Sequence, residues 1–168
     1  MRETSGSSWV IEIMIFFILL FAAFLSLVIQ YSRAYIVKNE VLSIIEKYEG
    51  ARSSREIMIN YVKNQGYKTK AVCPEADEAE SKWYGLENYE SNFEEAVKGK
   101  KYLFCIQQHE VVVDKTNALV GNNETVRKVY YNVIFFYRFN LPILGELHTY
   151  RVTGETKSFI GADKRLLD

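Results

Sequence analysis

The spacing of apolar residues changes twice along this chain. From Trp9 to Ile29 the residues are apolar except for Glu12 and Ser26. A run of that length, at about 1.5 Å per residue, covers the roughly 30 Å hydrocarbon core of a bilayer as one helix. Beyond it the apolar positions narrow to a stripe. Tyr31, Ala34, Tyr35, Val41, Leu42, Ile45 and Tyr48 keep a three-and-four spacing interrupted by Lys38, which predicts that the helix continues as an amphipathic spine packed on its own domain. The whole helix is predicted from about Ser7 to Glu49, roughly 64 Å, with Gly50 as its C-terminal cap.

Ser53-Ser54-Arg55-Glu56 has the spacing of a capping box; Ile57, Met58, Tyr61 and Val62 follow it, and Gly66 supplies a stop, so a short second helix is expected. The last third has period two. Val129, Tyr131, Val133, Phe135, Tyr137 and Phe139 are apolar at every odd position, the mark of a long half-buried strand. Tyr102, Phe104 and Ile106 alternate before it, and Val111 and Val113 alternate on the other parity, which a bulge near Gln107 to His109 would reconcile. Leu119 to Thr125 reads as the connecting turn, and Leu147 to Val152 as a third strand with a continuation through Phe159. The predicted fold class is α+β: a long N-terminal helix packed on a small antiparallel sheet of three or four strands. The expected organisation is a leader at 1–8, a transmembrane helix at 9–31, an amphipathic extension at 32–50 and one soluble domain at 51–168.

Composition narrows the function. Twenty-one basic and 21 acidic residues leave no net charge, which argues against a nucleic-acid partner. The apolar run is longer than the core of a cleaved signal peptide and is followed only by Ser32-Arg33-Ala34 as a processing site, so it reads as an anchor. Arg33, Lys38, Lys47 and Arg52 outnumber Arg2 and the amino terminus; that count alone favours a cytoplasmic C-terminus, yet long domains are exported largely regardless of flanking charge. Between Pro74 and Val97 eight acids accompany the single base Lys82. No calcium-loop spacing is present, and a solvated loop with a helical turn or two is expected there.

Arg2-Glu3-Thr4-Ser5-Gly6-Ser7-Ser8-Trp9-Val10-Ile11-Glu12, followed by the apolar helix, resembles the start of prepilins and pseudopilins of the type IV class, especially Flp and TadE-like members of tight-adherence pilus systems. Leu141-Pro142-Ile143-Leu144-Gly145 and Val152-Thr153-Gly154-Glu155-Thr156 are similar to the C-terminal strands of TadE-like proteins. The resemblance implies a membrane-anchored structural subunit, N-terminus cytoplasmic and domain extracytoplasmic, partnered with other pilin-like subunits, with pilus or secretion assembly proteins and with a prepilin peptidase. It also implies that the Glu12 carboxylate pairs with the α-amino group of a neighbouring subunit and sets axial register. The residues alone leave another reading, in which Glu12 reaches the headgroups and is solvated or protonated there. Glu12 stands one place further from Gly6 than the family pattern has it; cleavage after Ser7 instead of Gly6 restores the spacing and loses the glycine.

No nucleophile motif, phosphate loop or metal-ligand spacing accompanies the two histidines, His109 and His148, so no catalytic residue, metal or cofactor is expected. Cys73 and Cys105 flank the acidic segment, and in an exported domain they form either one disulfide or two buried thiols. The expectation is a non-enzymatic pilin-like subunit of a surface pilus or secretion-type assembly. Its rivals are a bitopic protein whose exported sheet binds a ligand or accessory protein without polymerising, and a scaffold facing the cytoplasm.

Overall fold

A computed structural model describes residues 4–75, 82–116, 123–141 and 145–160. Helix α1, Thr4–Lys47, is 44 residues long, about 66 Å. Its outer half carries Ala34, Val37, Val41, Ile44 and Ile45, all buried in the main core, a stripe repeating every three to four residues as a helix lying on a sheet requires. Tyr31, Tyr35 and Tyr48 flank that stripe and stay exposed, so the packed face is rotated from the one the tyrosines suggest. Lys38, which seemed to break the stripe, belongs to it: only 7% of it is exposed. Its ammonium lies 4.5 Å from the Tyr35 ring centre and donates to the Thr153 carbonyl at 3.4 Å.

The helix closes in a Schellman turn. Gly50 N–H reaches back to the Ile45 carbonyl and Glu49 N–H to that of Glu46, which puts Glu49, at φ 52°, in the left-handed position glycine usually fills. The capping box ahead of α2, Arg55–Asn64, does not form. Ser54 is the N-cap residue without a side-chain cap bond; its hydroxyl donates to the Gly50 carbonyl at 2.7 Å, and that of Ser53 to the Tyr48 carbonyl at 2.9 Å. Residues 51–54 already form turns, so both hydroxyls tie the start of α2 to the end of α1. Gly66, at φ 63°, ends α2 in a second Schellman turn.

The sheet is antiparallel, and it has more strands than the three or four expected. Strands β1 Ala71–Val72, β2 Trp83–Leu86, β3 Phe93–Glu95, β4 Lys101–Tyr102, β5 Phe104–Thr116, β6 Asn123–Leu141, β7 Gly145–Glu155 and β8 Phe159–Ile160 follow in chain order. Six of them form one sheet in the order β3-β2-β5-β6-β7, with β8 also on β6, while β1 and β4 pair separately. Two of the extra strands come from the acidic segment: Trp83–Leu86 and Phe93–Glu95 are a hairpin, not a loop with helical turns. Phe93 and Leu86 are buried there, and the acids stay at the surface, where Lys82 meets Glu95, and Lys100 meets Glu87 and Glu94.

No bulge interrupts β5. Its register with β6 runs unbroken from Phe104↔Phe135 to Thr116↔Asn123, and the one shift lies between β6 and β7 at Arg138/Asn140. The change of parity has a different cause. Around residue 105 both faces are covered: Phe104 and Ile106 join the core that α1 completes, and Cys105 joins Tyr102, Cys73, Ile134 and Phe136 on a second cluster. Past Gln107, β5 has β6 as its only neighbour among the described strands, β6 carries only the two-residue β8 on its far side there, and Val111 and Val112 are both exposed. Alternation stops reporting burial at this thin end of the sheet. Asn123 to Thr125, read as part of the turn, already belong to β6, and 117–122 lie outside the described residues.

Candidate membrane and assembly surface

From Trp9 to Ala22 every residue of α1 is exposed, Trp9 at 70% and Phe17 at 64%. This stretch lies in a helix whose most apolar window has mean hydropathy 2.8 and no buried residue, so it is long and apolar enough to cross a membrane. From Ala23 the head begins to shelter one face, and Ala23, Ser26, Leu27 and Gln30 are half-buried on the side that continues into Ala34, Val37 and Val41.

Glu12 is exposed, and among the described residues no hydrogen bond or ion pair involves it. At 3.6 residues per turn it stands five turns before Gln30 and on the same row, in line with Ala23 and beneath the head. Its carboxylate lies about 26 Å along the axis from Ile29, near the far edge of the apolar run. A single chain thus leaves an ionisable group in the apolar stretch without a partner, at a cost of up to about 3 kcal/mol in lipid. Gly6 and Ser7 fall in the first turns of α1, upstream of the apolar run.

Cys73 and Cys105 are joined in a disulfide, with Cα atoms 5.9 Å apart. It pins the segment after β1 to the start of β5, on the sheet face away from α1, within the cluster of Tyr102, Ile134 and Phe136. The two histidines are apart from it. His109 stacks on Tyr130 at 4.8 Å, with Gln107 and Asn132 at its Nε2, and His148 is exposed beside Tyr150. Among the described residues there is no group of three or more His, Cys, Asp or Glu placed to hold a metal ion.

The structure also gathers residues that no spacing in the sequence connects. Tyr31 stacks on Tyr35 and meets Tyr137 edge-on at 5.6 Å, and Tyr137 stacks on Tyr150 at 5.3 Å. This cluster sits where α1 leaves the head. Beside it Tyr67 is buried, its hydroxyl accepting the Phe136 N–H at 2.7 Å; burial pushes that hydroxyl well above the usual tyrosine range, against the opposing pull of the hydrogen bond. The segment read as TadE-like also has a local role. A Cβ on Gly154 would come within 2.6 Å of Leu42, so glycine lets β7 approach α1 closely. Thr156 exchanges two bonds with the Tyr131 backbone. Pro142 to Leu144 lie outside the described residues.

No protein-family model, curated protein or solved structure matches the chain.

Proposed function

We propose that this chain is a structural, non-enzymatic subunit of the pilin-like or pseudopilin-like kind, closest to TadE-like proteins, anchored by α1 in a surface pilus or secretion-type assembly. The observation that carries the reading is the exposed apolar half of α1 with an unpartnered carboxylate near its start. A helix used only as a tether gains nothing from Glu12. In a bundle of like helices the carboxylate finds the α-amino group of a neighbour, both charges leave lipid together, and axial register follows. The disulfide supports an oxidising compartment for the head, hence N-terminus cytoplasmic and domain outside. Processing after Gly6 or Ser7 by a prepilin peptidase frees that amino group; the mass of the mature chain identifies the cleaved bond.

Glu12→Ala tests the reading. In cells expressing two differently tagged copies of the full chain, the substitution leaves membrane insertion intact or improved and abolishes co-purification of one copy with the other and with the assembly proteins. Unchanged co-purification contradicts it. A second reading, a bitopic module that binds an accessory protein through its sheet, is favoured by the outer edge of β7, which among the described residues pairs with no strand; it is the outcome if the chain stays monomeric in the membrane.

A further inference from the structure

The end of the head that meets the apolar run contains an open groove of about 240 Å³. Gln30 and Arg33 reach it from α1, Gln65, Lys68 and Thr69 from the segment after α2, and Tyr137 from β6. Two cations and the four uncharged polar side chains of Gln30, Gln65, Thr69 and Tyr137 converge there, and among the described residues no carboxylate lines the groove. Among the described residues neither Arg33 nor Lys68 has an ion-pair partner. Such a set suits a phosphate: a guanidinium offers two parallel N–H donors to its oxygens and an ammonium adds a point charge.

The depth of the groove says where the phosphate comes from. Ile29 ends the apolar run, and Arg33 is four residues on, about 6 Å along the axis. The polar layer on each side of a bilayer is roughly 5–7 Å deep, so with α1 spanning the membrane the groove opens at the level of the lipid phosphates. The tyrosine cluster marks the same level independently: Tyr31, Tyr35, Tyr137 and Tyr150 touch one another beside the groove, and tyrosines concentrate where hydrocarbon gives way to water.

We propose that this groove binds the phosphate of an anionic phospholipid headgroup from the leaflet beneath the head, fixing the height and rotation of the head on the membrane. The proposal rests on α1 crossing a bilayer and is independent of polymerisation. Arg33 and Lys68 are exposed, so Arg33→Gln and Lys68→Gln leave the fold intact.

The test uses the full-length protein. Flotation with vesicles of phosphatidylcholine, alone or with one part in ten phosphatidylglycerol, reports insertion. Titration of the micelle-bound protein with dioctanoyl phosphatidylglycerol, dioctanoyl phosphatidylcholine and inorganic phosphate reports the site. The expected result is flotation with both vesicles and saturable phosphatidylglycerol binding, weakened about tenfold by Arg33→Gln and about a hundredfold by the double substitution, with inorganic phosphate far weaker. Flotation with titrations indifferent to headgroup and to both substitutions overturns the proposal alone. Inorganic phosphate binding as tightly as the lipid overturns the lipid source. Failure to float overturns the spanning helix, and the proposal with it.

Discussion

Reducing the Cys73–Cys105 bridge isolates one constraint on the head, because both side chains stay in place. The bridge closes a loop of sequence separation 32, and a cross-link of that size restricts the unfolded chain by about 3 to 4 kcal/mol in the chain-entropy treatment. Domains of this size are held by only about 5–15 kcal/mol in total, so reduction removes a large share. The loop contains β2, β3 and β4, which place Leu86, Phe93 and Tyr102 in the two cores, so the cross-link restrains a segment that the folded head packs. Urea unfolding of the full chain in non-ionic micelles, followed by the fluorescence of Trp83 in a Trp9→Phe background, reports the head selectively, since Trp83 packs on the cluster that holds the bridge. With a slope near 2 kcal/mol per M, the midpoint drops by about 2 M on reduction. Cys73→Ala with Cys105→Ala drops it at least as far, because Cys105 is fully buried and alanine leaves a small void. A reduced midpoint within about 0.5 M of the oxidised one refutes the reasoning.

Three further outcomes follow from local geometry. Gly85→Ala places a Cβ 2.3 Å from ring atoms of the buried Tyr102 and should destabilise the head by about 1–3 kcal/mol; a Tyr102→Leu background recovers part of that loss in the same melt, and purely additive losses contradict the contact. Glu49→Gly relieves the left-handed backbone at φ 52° and should raise stability by about 1 kcal/mol, whereas a loss of stability contradicts that origin of strain. Burial raises the Tyr67 hydroxyl above its ordinary value of 10.0, so above about pH 10 the unfolded chain releases a proton that the folded chain keeps. Stability from this group is full below that pH and falls as pH rises through it; Tyr67→Phe should show a shallower fall in melting temperature between pH 8 and 11.5, and an unaltered profile contradicts it.

The long helix and the two central strands were legible because their apolar residues follow one period over many turns. Ala34, Val41 and Ile45, and Val129 to Phe135 at odd positions, are buried as the pattern requires. What the pattern missed, it missed for physical reasons. The β2–β3 hairpin buries single residues such as Leu86 and Phe93 among acids, too few to set a period. Beside Cys105 both faces of the sheet are covered, and at Val111 and Val112 neither side chain is, so alternation fails there in opposite ways. Lys38 looks like an interruption until the Tyr35 ring and the Thr153 carbonyl supply its partners. Glu12, Cys73 and Cys105 could be singled out by residue type and position. The groove of Arg33 and Lys68 could not, since these residues lie in different elements and meet only in the folded head.

The central claim is that the exposed face of α1 between Trp9 and Ile29 is covered by like helices in the membrane. Single cysteines placed one at a time along that stretch in the full chain, and oxidised in native membranes, test it directly. Packed helices give cross-linked ladders whose yield rises and falls every three to four residues and collapses with Glu12→Ala. Monomer at every position would contradict it.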